Sequence, residues 1–113
     1  MIDYFPRQPP EKDTGNREYK RLLYLKNRKN FPQKATQMLY RIYEGNGDAL
    51  YLLGIEDNGE IGNVSKKGIL ETVECLKEIS KIIDANIKSI RIYELKNENR
   101  CVASVRIYKN IRI

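Results

Sequence analysis

Residues 31–55 read FPQKATQMLYRIYEGNGDALYLLGI, and the fold follows from how this stretch divides. Phe31, Ala35, Met38, Leu39 and Ile42 recur at three- and four-residue spacing, so one side of a helix is apolar. Pro32 suits the first turn of that helix, and Gly45-Asn46-Gly47 ends it. Ala49 to Ile55 is then an apolar run of strand length, stopped by Glu56-Asp57-Asn58-Gly59. Upstream, Glu18 to Lys26 is apolar and aromatic without breakers and predicts a first strand. Downstream, Asn58-Gly59 predicts a tight hairpin into a short strand near Ile61 to Val64. Ser65 is placed to cap a second helix whose stripe is Ile69, Val73, Leu76, Ile79 and Ile83, ending near Asp84. Ile87 to Leu95 and Cys101 to Lys109 alternate as two strands joined by a hairpin-length loop. The order β-α-β-β-α-β-β predicts an α+β two-layer sandwich of ferredoxin-like kind. Right-handed crossovers put both helices on one face of a mainly antiparallel sheet.

The 113 residues suffice for one domain, read as residues 17–113, preceded by a flexible arm over residues 1–16. Pro6, Pro9, Pro10 and Gly15 keep that arm from nucleating a helix. Tyr4, Phe5 and Arg7 make it an aromatic and cationic segment, expected either to order on a partner or to trail from or fold back on its own domain. No apolar run approaches the roughly 20 residues of a membrane helix, and the start lacks a signal-peptide pattern. A cytoplasmic protein with no membrane partner is therefore expected.

The chain has no histidine and two cysteines, Cys75 and Cys101, outside any C-x-x-C. That removes histidine-dependent triads and most zinc sites, and leaves no disulfide framework. Neither G-x-x-x-x-G-K-[ST] nor a helix-opening G-x-G-x-x-G is present. The expectation is a protein that is not an enzyme, with no metal, no cofactor, no small-molecule substrate and a monomeric free state. Glu56-Asp57-Asn58 lacks the spacing of a calcium loop and reads first as a turn whose side chains bond the backbone.

The net charge is +6, and it is uneven. Residues 1–47 hold ten basic and five acidic residues, residues 48–84 four and eight, residues 85–113 seven and two. A polyanion partner and a merely lysine-rich composition account for this equally well. In the last two strands Arg91 and Tyr93 share one face, as do Arg106 and Tyr108, with Ile90/Ile92 and Val105/Ile107 opposite. Register decides whether the two pairs meet on the open side of the sheet. There a ring can stack on a base and a guanidinium can bind phosphate, although cross-strand tyrosine and arginine also stabilise sheets without a ligand.

Glu18-Tyr19-Lys20, Thr36-Gln37-Met38, Arg41-Ile42, Glu44-Gly45, Gly47-Asp48-Ala49, Tyr51, Gly54-Ile55-Glu56-Asp57-Asn58-Gly59 and Gly62 together resemble the N-terminal domain of the GTP-binding protein 1 and 2 family, elongation-factor-like translational GTPases. In that family the region precedes a GTPase domain, whereas this sequence ends after one further hairpin. The resemblance implies translation and the ribosome, with GTP binding left out. It is similar in kind to small dormancy factors that occupy a tRNA or mRNA site on idle, hibernating ribosomes. The residues expected to meet rRNA or ribosomal proteins are Tyr4, Phe5, Arg7, Lys20, Arg21, Arg28, Lys29, Gln37, Arg41, Arg91, Tyr93, Arg106 and Tyr108. Glu56, Asp57 and Asn58 form the turn that matches the family. The alternative is a protein adaptor that docks a translational GTPase or RNA-decay machinery through the acidic middle segment.

Overall fold

A computed structural model of the chain describes residues 1–111; the last two positions of the expected domain lie outside the described residues. The chain forms four strands and two helices: β1 Arg17–Lys20, α1 Phe31–Glu44, β2 Asp48–Leu53, α2 Lys66–Ile82, β3 Asn86–Glu94 and β4 Cys101–Tyr108. The sheet order is β1-β2-β4-β3, with β1 and β2 parallel and the other two pairings antiparallel. It is an α+β fold with both helices packed on one side of an open mixed sheet, compatible with a ferredoxin-like arrangement. No helix among the described residues is long and apolar enough to cross a membrane.

The apolar side of α1 is Phe31, Ala35, Met38 and Ile42, all buried, and Gly45 closes the helix by donating its N–H to the Arg41 carbonyl at 3.0 Å. The side chain of Ser65 caps α2 by accepting from the Gly68 N–H at 3.3 Å, the role read for it in the sequence. Ile69, Val73, Leu76 and Ile79 face the same core as Ala49, Tyr51 and Leu53 of β2 and Cys101, Ala103, Val105 and Ile107 of β4. Alternation along β2 and β4 thus assigns one set of side chains to the helices and the other to the opposite face.

Two strands depart from the sequence reading. The first ends at Lys20 rather than Lys26, because the next backbone donors bond side chains of α2 instead of a ladder. Leu23 N–H donates to Thr72 Oγ1 and Leu25 N–H to Glu71 Oε2, each at 3.0 Å, before a 3-10 turn over Leu25–Asn30. Leu22, Leu23 and Leu25 pack on the main core, so the apolar run signalled burial and not extension. The short strand near Ile61 to Val64 is reduced to one bridge, Ile55 to Ile61. Beyond it the Val64 carbonyl accepts from Cys101 N–H at 2.7 Å, where β4 begins.

Residues 1–16 are extended and lie along the domain itself. Ile2 bridges Leu95 beyond the end of β3, the Phe5 ring sits 5.6 Å from that of Tyr93, and Gln8 N–H donates to the Gly59 carbonyl at 3.1 Å. Glu11 N–H donates to the Asp57 carbonyl at 2.7 Å, and the Tyr19 hydroxyl donates to the Pro9 carbonyl at 2.7 Å. The arm therefore crosses one end of the open face and, with Tyr19, Leu52, Ile55, Leu95 and Val102, builds a second small core there.

Candidate nucleic-acid interface

The pairing registers answer the question the sequence left open. β3 and β4 align Arg91 with Ser104, Ser89 with Arg106 and Tyr93 with Val102, while β2 places Leu50 opposite Arg106. Directly opposed residues share a face, so Arg91, Tyr93, Arg106 and Tyr108 all stand on the side away from the helices. A break in register between Ile87 and Ser89 then adds one residue to β3, which returns Ile87, opposite Ile107, to the core side. Arg17 joins them, because parallel pairing sets it beside Leu50.

The arm divides this face in two. On the covered half, Tyr19, Leu52 and Val102 are buried and Tyr93 is half-buried against Phe5. On the other half Arg17, Ser89, Arg91 and Arg106 are exposed, and Tyr108 is 41% exposed. Among the described residues none of these three arginines has an ion-pair partner. The carboxylate bordering them is Asp48, opposite Tyr108; its Oδ1 is enclosed without a hydrogen bond and lies 4.0 Å from the Lys88 ammonium. Burial of an unpartnered carboxylate oxygen is costly, and the nearby cation offsets part of that cost.

Arg41 is buried rather than offered to a partner. Expected beside Gln37 on a polar helix flank, it is only 4% exposed. Its Nε donates to Glu18 Oε1 at 2.9 Å, its Nη1 to the carbonyls of Thr14 and Gly15 at 3.0 and 2.9 Å, and its Nη2 to that of Lys12 at 2.8 Å. Glu18 is 2% exposed and also holds Lys20 at 3.2 Å. Arg41 is thus an internal clasp that ties the end of the arm to β1 and α1. A buried guanidinium whose N–H groups are spent on Glu18 and on backbone carbonyls offers nothing to a phosphate.

The other expected contacts are scattered. Arg28 forms a two-pronged bond to Glu78 at 2.8 and 3.0 Å, which raises the arginine and lowers the glutamate from their ordinary pKa values, and Lys29 is exposed beside it. Gln37 is exposed on α1, on the helix layer and away from the open sheet face. Arg7 pairs with Glu60 at 3.2 Å, Arg21 lies 3.9 Å from Glu56, and Tyr4 is exposed. In the turn, Asn58 Oδ1 accepts from the Glu60 N–H at 3.0 Å, the backbone bond expected of it. Among the described residues no cluster of carboxylates and thiols is arranged to hold a metal ion. Arg17 and Lys88 were missed in the sequence. Arg17 shares strand parity with Tyr19, but only the parallel register shows which face that is.

No family model and no solved structure matches the chain. GTP-binding protein 2 from Mus musculus and from Homo sapiens is 33% identical over 90 residues, which is 80% of this chain and 15% of those proteins. The chain is similar to one part of GTP-binding protein 2. An uncharacterized protein of Acanthamoeba polyphaga mimivirus is 33% identical over 102 residues, 89% of this chain and 55% of that protein. The chain therefore spans about half of the mimiviral relative and 15% of GTP-binding protein 2. At these shares the likeness supports a partial relation to GTP-binding protein 2, the family part of the resemblance drawn from the sequence.

Proposed function

We propose that this domain is a cytoplasmic, non-enzymatic ribosome-binding factor. It grips rRNA and ribosomal proteins and blocks a tRNA or mRNA site by occupying it, on idle, hibernating ribosomes. The observation that carries this reading is the uncovered half-face on which Arg17, Arg91 and Arg106 have, among the described residues, no carboxylate partner beside an exposed Tyr108. Unpaired guanidiniums suit phosphates, and the resemblance to translational GTPases makes ribosomal RNA the polyanion of choice. The absence of histidine and a buried Cys75 thiol, pushed up to about 11 by desolvation and then by Glu71, support a role without turnover. The adaptor reading has less behind it. Within the acidic turn Glu56 lies beside Arg21, the Asp57 carbonyl holds the arm and Asn58 holds Glu60.

The test is pelleting with purified ribosomes over a salt series. Three phosphate contacts predict an affinity loss of about 20- to 40-fold between about 50 and about 200 mM salt. The R91E/R106E double variant should bind poorly at every salt. An affinity indifferent to both salt and charge reversal would refute the proposal.

A further inference from the structure

The open half of the sheet is narrow, and its width restricts what lies on it. Four strands span about 14 Å between outer backbones. The arm closes one end, where Phe5 covers the Tyr93 ring and Tyr19 is buried under Pro9. What remains is one accessible ring, Tyr108, with Arg106 two residues away on β4 and Arg91 on β3 diagonal to Arg106, opposite Ser104. Arg17 stands at the far edge on β1, separated from Arg106 by Leu50. A duplex presents stacked bases to no ring, so Tyr108 would be idle against it. A single strand turns a base face to the ring while its backbone passes the guanidiniums.

Resting on the RNA-binding reading above, we infer that this face takes single-stranded RNA. One unpaired base stacks on Tyr108, and the flanking phosphates lie on Arg91, Arg106 and Arg17. The footprint is about two to three nucleotides, as expected where a small sheet stacks few bases. The arm acts as the fence that sets this length, because it withholds the Tyr93 ring from a further base.

Fluorescein-labelled single-stranded RNAs of about two to eight nucleotides and a hairpin duplex of equal charge make the probes. Affinity should rise up to about three nucleotides and then level off, with the duplex weaker. Tyr108→Ala should lower single-strand affinity at least about fivefold, whereas Tyr108→Phe, which keeps the ring, should stay within about twofold. Phe5→Ala should lengthen the plateau by about one nucleotide; an unmoved plateau would overturn the fence. Equal binding of duplex and single strand, with Tyr108→Ala harmless, would overturn the single-strand inference while R91E/R106E still abolished binding. Full binding by R91E/R106E would instead refute the RNA reading beneath it.

Discussion

Replacing Arg41 with methionine separates a clasp from a contact. The methionine keeps much of the aliphatic volume but leaves Glu18, 2% exposed, with Lys20 as its remaining ionic partner, and strips the carbonyls of Lys12, Thr14 and Gly15 of their donor. Breaking one side of a buried ion pair costs about 3–5 kcal/mol; Lys20 at 3.2 Å and the partial hydration of the carbonyls place this case near about 3 kcal/mol. Against a total stability of about 5–15 kcal/mol the variant still folds but is visibly weakened. With a urea dependence of about 1.5 kcal/mol per molar, the midpoint measured by far-UV circular dichroism should fall by about 2 M. Removing both charges, in E18L/R41M, should recover most of that loss, because no carboxylate is left stranded. A midpoint shift of less than about 0.5 M in R41M, with ribosome binding collapsed, would refute the clasp and show that Arg41 reaches a partner and not the arm.

Three further outcomes follow from the same contacts. Gly59 has φ +90°, and a Cβ there would meet the Gln8 carbonyl oxygen at 1.9 Å, so Gly59→Ala should lift the arm and speed tryptic cleavage at Arg7 and Lys12; an unchanged cleavage rate would contradict the docking. Burial raises the Glu11 carboxyl above its ordinary 4.5, outweighing the bond it accepts from Tyr19 N–H, with Glu18 and Asp57 adding to the rise. The native state thus holds that proton more tightly than the unfolded chain does. The resulting stability is full below 4.5 and is lost as pH rises through the raised native value, so Glu11→Gln should flatten the unfolding midpoint across that window and be no less stable at neutral pH. Cys75 and Cys101 are both buried with raised pKa values, and neither should react with a thiol reagent at neutral pH until the protein is unfolded.

What the sequence made legible was periodicity. Both helices, the Ser65 cap, the last hairpin and the α+β class follow from three- and four-residue stripes and from alternation, which are local signals. It did not show where apolar runs stop being strands. Leu22 to Leu25 have strand composition, yet their backbone bonds go to Thr72 and Glu71, some 46–49 residues away. Nor could it separate a surface arginine from a buried one. Arg41 lies one helical turn from Gln37 and looks like surface, but Glu18 arrives from β1 to bury it. The face shared by Arg91, Arg106 and Tyr108 was legible as two alternating pairs; that the pairs coincide depends on the hairpin register, which sets Arg91 opposite Ser104.

The proposed ribosome binding rests on the uncovered basic face. Its most direct test is gradient sedimentation of native lysate at low and high salt, tracking the wild-type chain beside R91E/R106E. The wild type should migrate with monosomes and not with polysomes, high salt should release it, and the double variant should stay at the top. A wild-type chain that remains at the top under mild salt, or a double variant that migrates with monosomes as well as the wild type does, would contradict the proposed binding.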